Sequence, residues 1–232
     1  QPLPTAVISA PTTGRVGVSL TLNASTSTAT GSIVSYRWSL GQRPAGSVVP
    51  PLPLVSASPL LTFAPDRLGR YDIQLVVVDD SGNQSAPVVA TIIVTDTDNP
   101  TAVLDATPAA PVVGSSVTLS GSRSFDVGGS TVQSYVFSAV IRPAGATAFA
   151  TPINSATPTM SFTPDRVGIW RLRLIVTDSS GNQGAADEIV LNVLAVPTAV
   201  ISGPTTGRVG VSLTLNASTS TATGSIVSYR WS

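Results

Sequence analysis

The residues with chemistry to offer are carboxylates. Asp79, Asp80, Asp96 and Asp98 fall close together in the chain, with Asn99 and Asp105 adjoining them. Clustered hard oxygens suit Ca²⁺, which takes about six to eight oxygen ligands. A hairpin end carrying Asp79, set near a linker carrying Asp96 and Asp98, would supply three carboxylates to such an ion and stiffen the joint. The same stretches have a second reading, because Asp-Asp-Ser-Gly and Asp-Asn-Pro are ordinary turn sequences. A later joint, Leu194-Ala195-Val196, contains no acid at all.

Other chemistries lack their residues. The 232 residues include no Cys and no His, and all twelve basic residues are Arg. Without Cys there is no disulfide, thiolate metal site or cysteine nucleophile. Without His the commonest general base is missing, together with the usual partner of a serine nucleophile. Without Lys there is no Schiff base, no P-loop lysine and no lysine isopeptide link. The expectation is a chain that is not an enzyme. Only 10% of residues are charged and the net charge is zero, which favours association over self-repulsion. The arginines are scattered, so there is no basic patch for nucleic acid. No apolar run approaches the roughly 20 residues that span a bilayer, so no membrane insertion is expected within this segment.

The elements that must position those carboxylates come in repeats. Residues 197–232 reproduce residues 4–39 with one change, Ala10 to Gly203, at an offset of 193 (197 − 4 = 193). A third related start lies at Pro100-Thr101-Ala102-Val103-Leu104. Internal repetition at a fixed period marks an array. It divides the chain into residues 1–97, residues 98–195, and residues 196–232 as the beginning of a further copy of the first unit. That further copy ends at Trp231-Ser232, before the strands needed to bury its Trp, so it should be completed by something beyond Ser232, in cis or by strands of another chain. A secretion signal would likewise lie outside this window.

Within the first unit, Ala6–Ser9 reads as a short apolar strand, and Val18–Asn23 alternates apolar and polar with the period of a half-buried strand. In Ile33–Leu40, Val34, Tyr36 and Trp38 are expected on one face. Arg43 to Pro53 is rich in Pro and Gly and reads as irregular. Leu60–Phe63 reads as a strand, and Pro65–Gly69 as one tight helical turn. Tyr71–Val78, the turn Asp79–Asn83 and Val88–Val94 read as a hairpin. The second unit repeats the plan with Tyr135-Val136-Phe137, Arg142–Gly145 and Pro164–Gly168. It continues with Trp170–Val176 and the turn Asp178–Gln183. About seven short strands per unit, with frequent turn signals, describe a β-sandwich. The fold class is therefore all-β, with Trp38 and Phe137 at the core centres. Adjacent identical domains are prone to exchange strands, so alternation of unlike units is expected to reduce that hazard.

Tyr36-Arg37-Trp38-Ser39, Arg43-Pro44-Ala45-Gly46-Ser47, Gly69-Arg70-Tyr71, Leu75–Asp79 and Gly82-Asn83 together resemble bacterial PKD (polycystic kidney disease) domains. The family's frequent Trp-Asp-Phe-Gly-Asp-Gly segment is replaced by Trp38-Ser39-Leu40-Gly41-Gln42. The resemblance implies tandem immunoglobulin-like sandwiches on an extracellular or cell-surface protein, serving as spacer, adhesive or filament modules. Partners are then neighbouring repeats or other copies of the chain. The alternative it implies is a carbohydrate-binding accessory of a secreted enzyme, facing a surface polysaccharide. Asp96-Thr97-Asp98-Asn99-Pro100 also looks similar to the calcium-binding linkers of cadherin repeats.

Two further patterns have paired readings. Tyr36, Trp38, Tyr71 and Trp170 would make a sugar-stacking platform if exposed, or core if buried. Asp66-Arg67 and Asp165-Arg166 would make a repeated recognition pair, or a turn cap with an Arg covering an edge. The Asn-x-Ser triplets at Asn23, Asn83 and Asn216 are a weak glycosylation pattern expected by chance in a chain rich in Ser and Thr.

Overall fold

The computed structural model describes residues 2–49 and 52–232. Two compact units result: residues 1–99 with 126–131 and 178–182, and residues 100–125, 132–177 and 183–232. Among the described residues every regular element is a strand, so the all-β expectation holds.

The first sandwich runs β1 (Thr13–Gly14), β2 (Leu20–Asn23), β3 (Ile33–Gln42), β4 (Leu54–Ser56), β5 (Leu60–Phe63), β6 (Gly69–Asp79) and β7 (Val88–Val94). One sheet has the order β1-β7-β6-β3-β4 and the other pairs β2 with β5. Alternation along the strands decides which side chains meet. Leu20 and Leu22 pair with Phe63 and Leu61 across β2 and β5. Tyr36 and Trp38 pair with Val77 and Leu75 across β3 and β6. All eight are buried in one cluster together with Tyr71, Ile73, Ile92 and Val94.

The second sandwich runs β8 (Asp105–Thr107), β9 (Val117–Ser120), β10 (Val132–Ile141), β11 (Ile153–Ser155), β12 (Thr159–Phe162), β13 (Gly168–Asp178) and β14 (Asp187–Val193). Its sheets have the orders β11-β10-β13-β14 and β12-β9-β8. Phe137, Trp170, Leu119, Leu172 and Leu174 fill its core. The parallel pairing of β1 with β7 survives here as a single bridge between Val112 and Leu194.

Several local expectations are corrected. Val34 does not share a face with Tyr36 and Trp38 but is exposed. The ladder to β6 shifts register between Ile33 and Ser35, and the bulge turns Val34 outward. Ala6–Ser9 is not a strand: Thr5 and Ser9 make isolated bridges to Thr28 and Asn23. The strand expected from Val18 begins at Leu20, and Val18 is exposed. Pro65–Gly69 is a bend rather than a helical turn. Its chain is held by side chains, since Asp66 Oδ2 accepts the Val48 N–H at 2.8 Å and Tyr71 Oη accepts the Arg67 N–H at 3.2 Å. The short strands β4 and β11 carry no clear alternation and were not anticipated. Part of the segment expected to be irregular, Pro50 and Pro51, lies outside the described residues.

Residues 196–232 form no strand. They keep the two bridges of the first copy, Thr198 to Thr221 and Ser202 to Asn216, while most of their large apolar side chains lie exposed.

Candidate metal centre

The sequence builds the same carboxylate turn twice. At the end of β6, Asp79 Oδ1 accepts the N–H groups of Ser81 (3.0 Å) and Asn83 (2.8 Å), and Oδ2 accepts from Asn83 Nδ2 (3.0 Å). At the end of β13, Asp178 Oδ1 accepts from Ser180 (2.8 Å) and Asn182 (2.9 Å), and Oδ2 from Asn182 Nδ2 (2.9 Å). Both aspartates are buried, and both keep the spacing Asp-x-Ser-Gly-Asn. What surrounds them differs.

Around Asp178 two more carboxylates converge. Asp96, Asp126 and Asp178 each place an oxygen within 4.8 Å of the others, and all three belong to the first compact unit. Asp96 is buried. Its Oδ1 accepts the Asp98 N–H at 2.9 Å, its Oδ2 the Ser130 N–H at 3.1 Å, and its carbonyl the Asn182 Nδ2 at 3.3 Å. Asp126 Oδ2 accepts the Gly128 N–H at 2.8 Å and the Ser130 hydroxyl at 3.3 Å. Gly128 is required for this approach, because a Cβ there would lie 1.7 Å from Asp96 Oδ1.

Burial works against ionisation of Asp96, but the Ser130 hydroxyl and the Asp98 and Ser130 amides outweigh it and hold its carboxyl below the ordinary range. Asp178 is likewise held low against burial, by the Asn182 side chain and amide. Among the described residues no Arg forms an ion pair with any of the three. Asp126 Oδ1 is shielded from solvent and has no hydrogen-bond partner. A shielded, unpartnered carboxylate oxygen on a member of a three-carboxylate cluster is an environment that a hard cation completes. The donor set, all oxygen and without sulfur or nitrogen, fits Ca²⁺ rather than Zn²⁺.

Of the three residues expected from sequence, only Asp96 takes part. Asp79 has both oxygens occupied by its own turn. Asp98 turns away to Arg15, with Nη1 to Oδ1 at 2.8 Å, and Arg15 also donates to the Thr97 hydroxyl. Asp126 and Asp178 were missed. Asp178 is legible as the counterpart of Asp79 in the second repeat. Asp126 sits in a loop two residues longer than the matching Ala29-Thr30-Gly31 of the first copy, and that insertion is its only signal. The later joint is built without charge: Ala195, standing where Asp96 does, donates its N–H to the Thr223 hydroxyl at 2.9 Å.

The platform reading of the aromatics is overturned, since Tyr36, Trp38, Tyr71 and Trp170 are all buried. Asp66 and Asp165 serve as anchors for the loops at Val48 and Thr147, as the turn-capping reading expects.

Residues 5–92 match the PKD domain family, so the first sandwich is a PKD domain of immunoglobulin-like fold. Such domains are typically non-catalytic modules of extracellular or surface proteins. Solved structures similar to the chain include fibronectin(III)-like modules of Clostridium thermocellum CbhA, with TM-score 0.34 and 12% identity over 82% of this chain and 95% of that one. A carbohydrate-binding module of the β-sandwich superfamily aligns with TM-score 0.34 and 17% identity, over 83% and 97%. The D00-D0 domain of intimin aligns with TM-score 0.30 and 14% identity, over 79% and 99%. No curated protein matches the sequence.

Proposed function

We propose that the chain is a non-enzymatic structural segment of a long extracellular or cell-surface protein, whose sandwiches act as spacer or filament-assembly modules. The observation that carries this reading is the restart of the first unit's 36-residue sequence, with one change, at Pro197 after two sandwiches have been completed. Such a chain multiplies structural units, and its partners are neighbouring repeats or other copies. Burial of the strand aromatics supports this over a carbohydrate-binding role, which keeps surface polysaccharide as the alternative partner. Electron microscopy of the native protein tests it. Ordered fibres with an axial repeat matching one 193-residue period, or dispersed rods, support assembly or spacing respectively. Co-sedimentation with insoluble polysaccharide in place of either would overturn the reading.

We also propose Ca²⁺ as a stabilising ion, held by Asp96, Asp126 and Asp178. It would supply positive charge to three clustered carboxylates and fix the segments around residues 96–98, 126–131 and 178–182 to one another. Calorimetric titration checks this. Ca²⁺ is expected to raise the melting temperature of the chain, Asp126→Asn to abolish the rise, and Asp79→Asn to leave it. Absence of both binding heat and a thermal shift would remove the ion.

A further inference from the structure

The sheets differ in how they protect their edges. β14 is an edge strand of seven residues, whereas every other edge strand among the described residues has four or fewer. Short edges, bulges, prolines and lysines are devices that keep a sheet from pairing with another chain. β14 has none of them. Its register with β13 runs unbroken from Val193 opposite Gly168 to Asp187 opposite Leu174, and it contains no Pro or Lys. In the first sandwich the matching strand is covered. β1 lies parallel to β7, and the Thr12 and Gly14 carbonyls accept the N–H groups of Ile93 and Thr95 at 2.9 and 3.1 Å. In the second sandwich Asp105–Thr107 pairs with β9 instead. What remains along β14 is Pro111, whose carbonyl accepts the Leu194 N–H at 2.8 Å. At the other end the Glu188 N–H donates outward to Asp187 Oδ1 at 2.9 Å. N–H groups two residues apart on a strand point the same way, so Val190 and Asn192, between those two, present theirs at the open edge. The side chains of Glu188, Val190 and Asn192 share one face and are exposed.

We propose that β14 is a homotypic docking edge, at which two copies of the chain join antiparallel with Val190 opposite Val190 of the second copy. This rests on the assembly-module reading and names the surface it uses. The order of side chains selects the occupant, because the edge is self-complementary about Val190. Antiparallel pairing centred there has the two Val190 residues exchange both backbone bonds, while each Asn192 N–H meets a Glu188 carbonyl. On the exposed face valine meets valine, and each Glu188 carboxylate meets an Asn192 amide. The two Glu188 side chains stand four residues apart along the joined strands, about 14 Å. Parallel pairing in register would set Glu188 directly against Glu188, which is unfavourable. Within each copy Glu188 is already paired with Arg173 (Nη2 to Oε1 2.6 Å) and approached by Arg171 (Nε to Oε2 3.8 Å), so the joined face carries no bare run of one sign. The contact is isologous and closes as a two-fold dimer, with one continuous sheet built from β11-β10-β13-β14 of each copy.

Sedimentation equilibrium of the full chain tests this, with a reversible dimer expected. Asn192→Asp creates two like-charge pairs across the edge and should weaken the dimer about tenfold, whereas Asn192→Arg creates two opposite-charge pairs and should tighten it several-fold. Residue 192 is exposed, so both variants keep the fold. Cross-linking reads the register. The chain has no Cys, and Cα atoms of a hydrogen-bonded antiparallel pair lie about 5.5 Å apart, within reach of a disulfide. Val190→Cys, on the two-fold axis, should therefore oxidise to a covalent dimer, and Glu188→Cys, opposite Asn192, should not. A chain that stays monomeric at millimolar concentration overturns the proposal. So does a dimer indifferent to both Asn192 variants, or equal cross-linking from positions 188 and 190. None of these outcomes alters the 193-residue axial repeat sought in micrographs, so the edge and the spacer reading fail separately.

Discussion

In the first sandwich the indole lies on β3, as Trp38, and a phenol on β6, as Tyr71. In the second a phenyl lies on β10, as Phe137, and the indole on β13, as Trp170. All four are fully buried at the same two positions of the same fold. The exchange conserves bulk and rearranges hydrogen bonds. Tyr71 Oη donates to Asp66 Oδ1 at 3.0 Å, contacts Ser47 Oγ at 3.3 Å and lies 3.2 Å from the Arg67 carbonyl. Trp170 keeps one of those links, its Nε1 donating to the Arg166 carbonyl at 3.1 Å. An indole accepts nothing and offers one donor, so the carboxylate beside it loses a partner. Ser47 is also replaced, by Ala146. Asp165 Oδ1 is in consequence shielded and unpartnered, whereas Asp66 Oδ1 accepts from both Ser47 and Tyr71. The first sandwich carries its own defect, because Trp38 Nε1 has no acceptor. A β-sandwich core thus tolerates redistribution of aromatic volume more readily than of polar groups.

The largest effect comes from removing that volume. Trp38→Ala and Trp170→Ala should each cost about 3–5 kcal/mol in urea unfolding. Trp170→Ala should cost more, since it also leaves the Arg166 carbonyl without its donor. A larger loss for Trp38→Ala would break the idea that the hydrogen bond distinguishes the two sites.

Tyr71→Phe comes next. The ring remains, and the hydroxyl with its links to Asp66, Ser47 and Arg67 is lost, for an expected cost of about 1–3 kcal/mol. If urea denaturation gives no change, the polar network around Asp66 contributes nothing and the contrast with Asp165 loses its meaning.

How much of this the sequence discloses depends on range. The strand faces were readable because alternation is local, and Trp38 and Phe137 emerged as core centres from their neighbours alone. Val34 failed because a bulge is set by pairing with β6, which local alternation does not report. The carboxylate cluster failed in part for the same reason. Asp96 was visible in its own linker, but Asp126 and Asp178 reach it from 30 and 82 residues further along. Asp79 and Asp178 share the turn pattern Asp-x-Ser-Gly-Asn, so only three-dimensional placement decides which one faces other acids. The orphaned Asp165 Oδ1 follows from aligning the repeats with the structure known: Ser47 becomes Ala146 and Tyr71 becomes Trp170.

Acid sharpens the comparison further. Asp66 is held at about 2 against an ordinary 3.8, chiefly by the Ser47 hydroxyl and then the Val48 amide. Asp165 is also held at about 2, by the Thr147 amide and then its hydroxyl. Folded values below unfolded ones mean stability that is complete above about pH 4 and lost as pH falls towards 2. Urea midpoints measured from pH 5 to pH 2 should fall for both sandwiches. Ser47→Ala should reduce this pH dependence more than Thr147→Val does, because the principal donor to Asp165 is a backbone amide that survives the substitution. Equal effects would show that the two anchors are held alike.

The smallest effect is a gain. Ala146→Ser places in the second sandwich the hydroxyl that Ser47 supplies in the first, where it donates to Asp66 Oδ1 at 2.6 Å. The surrounding loop is the same, Arg142-Pro143-Ala144-Gly145 matching Arg43-Pro44-Ala45-Gly46. The Ala146 N–H bonds to the Pro143 carbonyl at 3.0 Å, as Ser47 does to Pro44 at 3.1 Å. A serine at 146 therefore has the backbone that directs its hydroxyl at Asp165 Oδ1. Satisfying one shielded carboxylate oxygen should stabilise the second sandwich by about 0.5–1.5 kcal/mol, seen as a higher urea midpoint with an unchanged slope. A neutral or negative result would mean that the second hydroxyl, that of Tyr71, is needed to fix the serine, and that Trp170 is what leaves Asp165 exposed to its own desolvation.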